Sequence, residues 1–173
     1  MGAGKSSVGT EIAAVTGWPY LDNDDLLYAA TGSTARQLLV REGIDRLHQA
    51  EAEVLQVIGA APAPLVAGVA ASLVEASGSP ARLSATGTVV YLRASAATLV
   101  ARVAETGPRP ETEHRPWVDT QGPEMVIGLL ERRGRLYEQV ADLIVDTDMT
   151  VPDQAARIIL DWLLARGTGN PLT

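Results

Sequence analysis

Six residues near the start of this chain constrain it more than any other stretch. Gly2-Ala3-Gly4-Lys5-Ser6-Ser7 matches the second half of the pattern G-x-x-x-x-G-K-[ST]. Small residues there let backbone N–H groups approach phosphates, and a helix that starts at the lysine turns the positive end of its dipole toward the same anion. In that arrangement Lys5 reaches the β- and γ-phosphates of ATP and the Ser6 hydroxyl takes Mg²⁺, so Gly2, Ala3, Gly4, Lys5, Ser6 and Ser7 are the expected nucleotide contacts. Composition singles out Lys5 further. The chain holds 14 Lys and Arg together, and thirteen of them are arginine. A sequence that uses arginine wherever arginine will serve keeps its one lysine where a lysine is required. The first glycine of the pattern, and the strand that launches such a loop, would lie before Met1; the natural chain is expected to extend upstream.

Behind the loop, strand and helix patterns alternate. Short apolar or β-branched runs at Tyr20-Leu21, Leu65–Val69, Gly87–Leu92 and Leu143–Asp146 read as strands. Helical spacing runs from Lys5 to Val15, Leu26–Ala30, Thr34–Glu42 with Ser33 as cap, Arg46–Ile58, Ser95–Glu105, Met125–Ala141 and from Pro152 to Arg166. A weak helix at Leu73–Ser77 is expected to close at Gly78-Ser79-Pro80. Such alternation predicts a parallel sheet with helices on both faces, a three-layer α/β/α architecture. The 173 residues make one domain, 1–166, followed by a polar tail, 167–173. Residues 106–123 carry four of the ten prolines and are expected to form a mobile lid.

Composition narrows the chemistry. Without cysteine and with two histidines, thiolate catalysis and Cys- or His-rich metal sites are excluded. A net charge of −7 argues against nucleic acid as a partner. No apolar run approaches the ~18 residues of a membrane span and no leader is readable, so a cytoplasmic protein without membrane contacts is expected.

With the loop, Asp22-Asn23-Asp24, Thr31-Gly32-Ser33-Thr34-Ala35, Gly43 through Glu51, Arg115-Pro116, Arg133-Gly134-Arg135-Leu136-Tyr137 and Val145-Asp146-Thr147 taken together, the chain resembles the shikimate kinases over nearly its whole length. The resemblance implies a P-loop kinase fold and ATP-dependent phosphorylation of a hydroxyl on shikimate or a related cyclitol acid, by a cytoplasmic monomer of aromatic amino acid biosynthesis. It implies that Asp22 helps Ser6 hold Mg²⁺. Asp24 would bind and activate the acceptor hydroxyl, and Arg133 would grip the acceptor carboxylate. Arg102 occupies the place of an arginine stacked on adenine. The lid arginine that meets the migrating phosphoryl group is Arg115, which Trp117 and Val118 follow, with Arg109 the alternative.

Three departures fall on the acceptor side. The second arm of the carboxylate clamp is His48, weaker than a guanidinium fork. A glycine-rich substrate loop is reduced to Gly68 within Ala67-Gly68-Val69-Ala70-Ala71, and a helix-end proline is Arg135. The stretch Gly17–Leu26 also resembles gluconate kinases, and a nucleotide-binding paralogue without kinase activity is the remaining alternative.

Overall fold

A computed structural model of the chain describes residues 2–76, 78–105 and 122–167. Element order is α1 (Lys5–Thr16), β1 (Tyr20–Asp22), α2 (Asn23–Thr31), α3 (Ala35–Glu42), α4 (Ile44–Ala60), β2 (Val66–Gly68), a 3-10 turn (Ala71–Val74), α5 (Ser79–Thr86), β3 (Val90–Arg93), α6 (Ala96–Glu105), α7 (Pro123–Val140), β4 (Leu143–Asp146) and α8 (Pro152–Ala165). The expected lid and tail lie outside the described residues, except that Gly122 and Pro123 open α7 and Gly167 follows α8. Among the described residues no helix is long and apolar enough to cross a membrane.

The strands pair in parallel, β1 with β2 and β3 with β4. Tyr20 stands opposite Val66 and Asp22 opposite Gly68; Val90 stands opposite Leu143 and Arg93 opposite Asp146. The expected single sheet is thus two parallel pairs with no hydrogen bonds between them among the described residues. Helices hold the pairs in place instead. Val66 of β2 and Val90 and Leu92 of β3 pack on one cluster, built from Val8 and Ile12 of α1 and Ala155, Ala156, Ile159 and Leu160 of α8. The next residue along β2, Ala67, packs on the opposite cluster, where Leu27, Leu38, Leu47, Ala50 and Val54 bring α2, α3 and α4 together. Side chains alternate across a strand, so β2 is covered on both faces and the three layers follow.

Several boundaries differ from the sequence reading, each for a local reason. Helix α2 begins at Asn23, because the Asp22 side chain accepts the Asp24 N–H and caps it. Thr34, not Ser33, caps α3, through a capping box in which Thr34 and Gln37 satisfy each other's backbone N–H groups. Gly78-Ser79-Pro80 opens a helix, α5, where it was expected to close one; proline is tolerated in a first turn, whose N–H groups lack partners anyway. Of the helix expected at Leu73–Ser77, the described residues 73–76 yield only the end of the 3-10 turn, and Ser77 lies outside the described residues. Ser95 caps α6 as expected, its Oγ accepting the Thr98 N–H at 3.2 Å.

One packing arrangement places the site. Tyr20 lies between two glycines from different elements. A Cβ added to Gly9 of α1 would fall 2.8 Å from Tyr20 Cδ2 and still closer to Cε2, and a Cβ on Gly68 of β2 would fall 2.5 Å from the Tyr20 hydroxyl. Neither glycine has an unusual backbone conformation; both are small so that the ring can lie flat between helix and strand. Gly9→Ala is therefore expected to lower stability by about 1–3 kcal/mol, even though alanine favours a helix by ~1 kcal/mol. In a Tyr20→Ala background the same substitution should become neutral or stabilising. Urea denaturation of the four proteins of this cycle measures both, and a stabilised single variant would contradict the packing.

Candidate active site

The phosphate loop is shaped by backbone. Gly2 and Gly4 adopt left-handed φ values of 73° and 90°, which β-carbon-bearing residues rarely adopt. Gly4 is the residue before α1 and offers no side-chain cap, so the first-turn N–H groups of α1 stay available to an anion. Lys5, Ser6 and Ser7 are exposed on that turn, while Ala3 packs between the α1/α8 cluster and one formed by Ala94, Leu99 and Val126. Arg102 of α6 steadies the loop: its Nη1 donates to Gly2 O at 3.3 Å and to Thr147 Oγ1 at 3.2 Å, and its Nη2 donates to Thr147 O. Among the described residues the guanidinium expected to stack on adenine thus ties the loop to the end of β4.

Asp22, the last residue of β1, collects three donors. Ser6 Oγ reaches Oδ2 at 3.0 Å, the Tyr20 hydroxyl reaches Oδ2 at 2.9 Å and the Asp24 N–H reaches Oδ1 at 2.9 Å. One carboxylate therefore joins the start of α1, the strand and the start of α2. Burial pushes the Tyr20 hydroxyl up to about 12; the hydrogen bond with Ser6 opposes this, and Asp22 and Asp24 add to it. Tyr20 thus stays protonated and donating. Two hard oxygens, Ser6 Oγ and Asp22 Oδ2, sit side by side next to an uncapped helix end. That donor set fits Mg²⁺, which takes few protein ligands and completes its shell with water and phosphate oxygens.

The structure brings Lys5, Ser6, Asp22, Asp24, His48, Gly68 and Arg133 to the wall of one cleft of about 210 Å³. Gly68 is buried there beneath the Tyr20 hydroxyl. His48 of α4 turns a buried Nε2 into the wall with no hydrogen-bond partner among the described residues. Arg133 of α7 is 14% exposed and closes on Glu75, with Nε 2.7 Å and Nη2 2.6 Å from Glu75 Oε2. Arg109 and Arg115 lie outside the described residues.

Four residues of this region were not assigned a role from sequence. Glu51 of α4 is buried in the cleft wall and accepts a hydrogen bond from Ser72 Oγ. Its signal was present: it interrupts the apolar stripe Leu47, Ala50, Val54, Leu55 and Ile58, where a charge needs a reason. Burial pushes Glu51 up to about 7, against the Ser72 hydrogen bond and the Arg133 charge, with Asp24 pushing the same way as burial. Tyr137 donates to Ala71 O at 3.0 Å, which fixes α7 against the 3-10 turn. Glu75 and Ser72 gave no signal, because their partners lie 58 and 21 residues away along the chain.

Comparison with known proteins bears on the whole chain. A family model described as shikimate kinase matches residues 1–164. Shikimate kinase 2 of Sodalis glossinidius is 30% identical over 165 residues, covering 94% of this chain and 90% of that protein. The shikimate kinase of Alteromonas mediterranea is 33% identical over 167 residues, 96% of this chain and 91% of its own. Among solved structures, the shikimate kinase from Acinetobacter baumannii in complex with shikimate superposes with a TM-score of 0.84 at 26% identity, covering 98% of this chain and 91% of that one. The Aquifex aeolicus shikimate kinase, 20% identical with a TM-score of 0.76, shares the fold over 98% of this chain and 95% of its own. The two-glycine loop, the carboxylate at the end of β1 and the arginine on α7 thus sit in a chain that belongs to the shikimate kinase family.

Proposed function

We propose that this protein transfers the γ-phosphoryl group of ATP to a ring hydroxyl of shikimate, as a cytoplasmic monomer whose single domain spans residues 1–166 with a lid at 106–123. The observation that carries the reading is the convergence of Lys5, Ser6, Asp22, Asp24 and Arg133 on one cleft. Phosphoryl transfer asks a protein mainly for positioning and charge neutralisation, and each of these residues supplies one of the two. The uncapped start of α1 and Lys5 hold the phosphates. Ser6 and Asp22 would hold Mg²⁺, which would supply neutralisation of phosphate charge. Asp24 orients the acceptor hydroxyl and takes its proton as the hydroxyl oxygen attacks phosphorus. Arg133 faces the acceptor carboxylate, and His48 Nε2, buried without a hydrogen-bond partner among the described residues, meets a polar group of the same ligand. Arg115 of the lid, or Arg109, meets the transferring group.

ADP release measured with shikimate, gluconate and neutral cyclitols tests the acceptor. Turnover with shikimate supports the proposal, and turnover confined to gluconate contradicts it. Lys5→Met should lower kcat by about 10²–10³-fold, the usual loss when a charge-stabilising donor is removed, while leaving Tm unchanged. Full activity in that variant would remove the loop from the mechanism.

Glu51 gives the cleft a pH dependence. Its folded pKa of about 7 lies above the ordinary value of 4.5, so the fold favours the neutral acid. Its contribution to stability is complete below pH 4.5 and is lost as pH rises through about 7, at most on the order of 3 kcal/mol. Glu51→Gln keeps a neutral side chain that can accept from Ser72. The wild type should lose Tm from pH 5 to pH 8 more steeply than the variant, and the variant should be the more stable protein at pH 8. Parallel Tm profiles would show that Glu51 does not titrate in this window.

A further inference from the structure

Beside the acceptor end of the cleft, in an adjoining pocket that shares His48 and Arg133 with it, lies a carboxylate of the protein's own, Glu75. Glu75 follows the 3-10 turn and is four-fifths buried between two arginines of α7. Its Oε2 takes both Nε and Nη2 of Arg133, and its Oε1 takes Arg132 Nε at 2.8 Å. Burial alone would raise its pKa, but the hydrogen bonds and charges of Arg133 and then Arg132 hold it below the ordinary carboxylate range. It is therefore an anion at physiological pH. The acids that line the cleft itself, Asp22, Asp24 and Glu51, offer an anion no positive charge, so among the described residues the Arg133 guanidinium is the charge an anionic acceptor needs at this end, and Glu75, from the adjoining pocket, already neutralises it.

Resting on the reading above that Arg133 faces the acceptor carboxylate, we propose that Glu75 is an internal competitor for that site. It sets the affinity and selectivity of the cleft for a carboxylate-bearing acceptor, and Arg132 tunes it. The geometry shows how the exchange works. Arg133 has one planar fork, and the edge carrying Nε and Nη2 is filled by Glu75. An incoming carboxylate must either take this edge or use what remains of the guanidinium beside a like charge. In both cases its binding is weakened by Glu75. Arg132, 63% exposed, can keep Glu75 when Arg133 lets go, so the displaced carboxylate is never left without a cation. A weak or adventitious anion does not repay the loss of a two-donor contact. An acceptor that also places hydroxyls against Asp24 does, and selectivity results.

Binding and turnover of shikimate and of its neutral methyl ester, in the wild type, Glu75→Gln, Arg132→Gln and the double variant, test the proposal. Glutamine keeps size and an acceptor oxygen for Arg133 while removing the charge. Glu75→Gln should tighten shikimate about tenfold, the worth of one charge-assisted contact, and leave the methyl ester and ATP within about twofold. Arg132→Gln should weaken shikimate, because Glu75 is then left to Arg133 alone, and should have no effect in the Glu75→Gln background. Unchanged or weaker shikimate binding in Glu75→Gln would assign Glu75 a merely positioning role for Arg133 and overturn the proposal, as would an Arg132 effect that persists without Glu75. If Glu75→Gln does not fold, the opposite-signed Arg132→Gln result decides alone. Shikimate bound by the variant but not by the wild type supports the proposal. Shikimate bound by neither overturns it together with the acceptor assignment, whereas equal turnover in both overturns the competitor alone.

Discussion

The Asp22 carboxylate is the joint on which the site is assembled. Its three donors come from the first turn of α1, from β1 itself and from the first turn of α2, at 2.9–3.0 Å. An isolated strand of three residues has little stability of its own, and β1 is no longer than that. What fixes its end is this set of hydrogen bonds, together with the Tyr20 ring seated between Gly9 and Gly68. Asp22 thereby does two things with one side chain. It caps α2, which sets where Asp24 emerges, and it holds the Ser6 hydroxyl beside the phosphate loop. A ligand that draws Ser6 and Asp22 toward a cation therefore acts on the start of α2 as well. The start of α1, with Ser6, and the start of α2, with Asp24, are mechanically joined over very few bonds.

Charge in the cleft is arranged as a near-balance of opposed groups. Lys5 stands on an exposed turn at the start of α1, and Arg133 of α7 is largely shielded from water. Between them lie Asp22, Asp24 and Glu51. Burying that many carboxylates close together is unfavourable, and the fold relieves the cost in different ways. Asp22 is surrounded by donors, Glu51 is held near the neutral form by burial, and Glu75 is paired to guanidiniums. A bound phosphate chain adds negative charge, which makes the neutral form of Glu51 more favourable still.

The local parts of this protein were legible in its sequence. Gly-x-Gly-Lys-Ser announced the loop, because φ above zero, small side chains and a following helix leave few other readings. The helix stops at Gly17 and Gly32, the cap at Ser95 and the strand at Leu143–Asp146 follow from single residues with strong local preferences. Boundaries set by reciprocal hydrogen bonds were less visible. Asp22 as a helix cap and the Thr34–Gln37 box require two residues to be judged together. Least visible were the long-range pairs. Nothing near Glu75 in sequence foretells Arg132 and Arg133, and nothing near Gly68 foretells the Tyr20 hydroxyl, since parallel strands bring together residues far apart along the chain. Gly68 in particular was expected only as the remnant of a glycine-rich substrate loop; the packing gives it a purpose of its own, space for a tyrosine.

The solitary lysine gives the molecule a property that concerns the experimenter more than the enzyme. Lys5 is the chain's one ε-amine, and it is exposed on the first turn of α1. Within residues 1–173, reagents that acylate or reductively alkylate amines thus have one side chain to find. Under the proposed role of Lys5 a bound polyphosphate shields that amine, so the mass added by a brief labelling pulse counts the fraction of molecules whose loop is empty. Nucleotide affinity can be read this way from intact-protein mass alone, with no fluorophore, no radiolabel and no engineered residue.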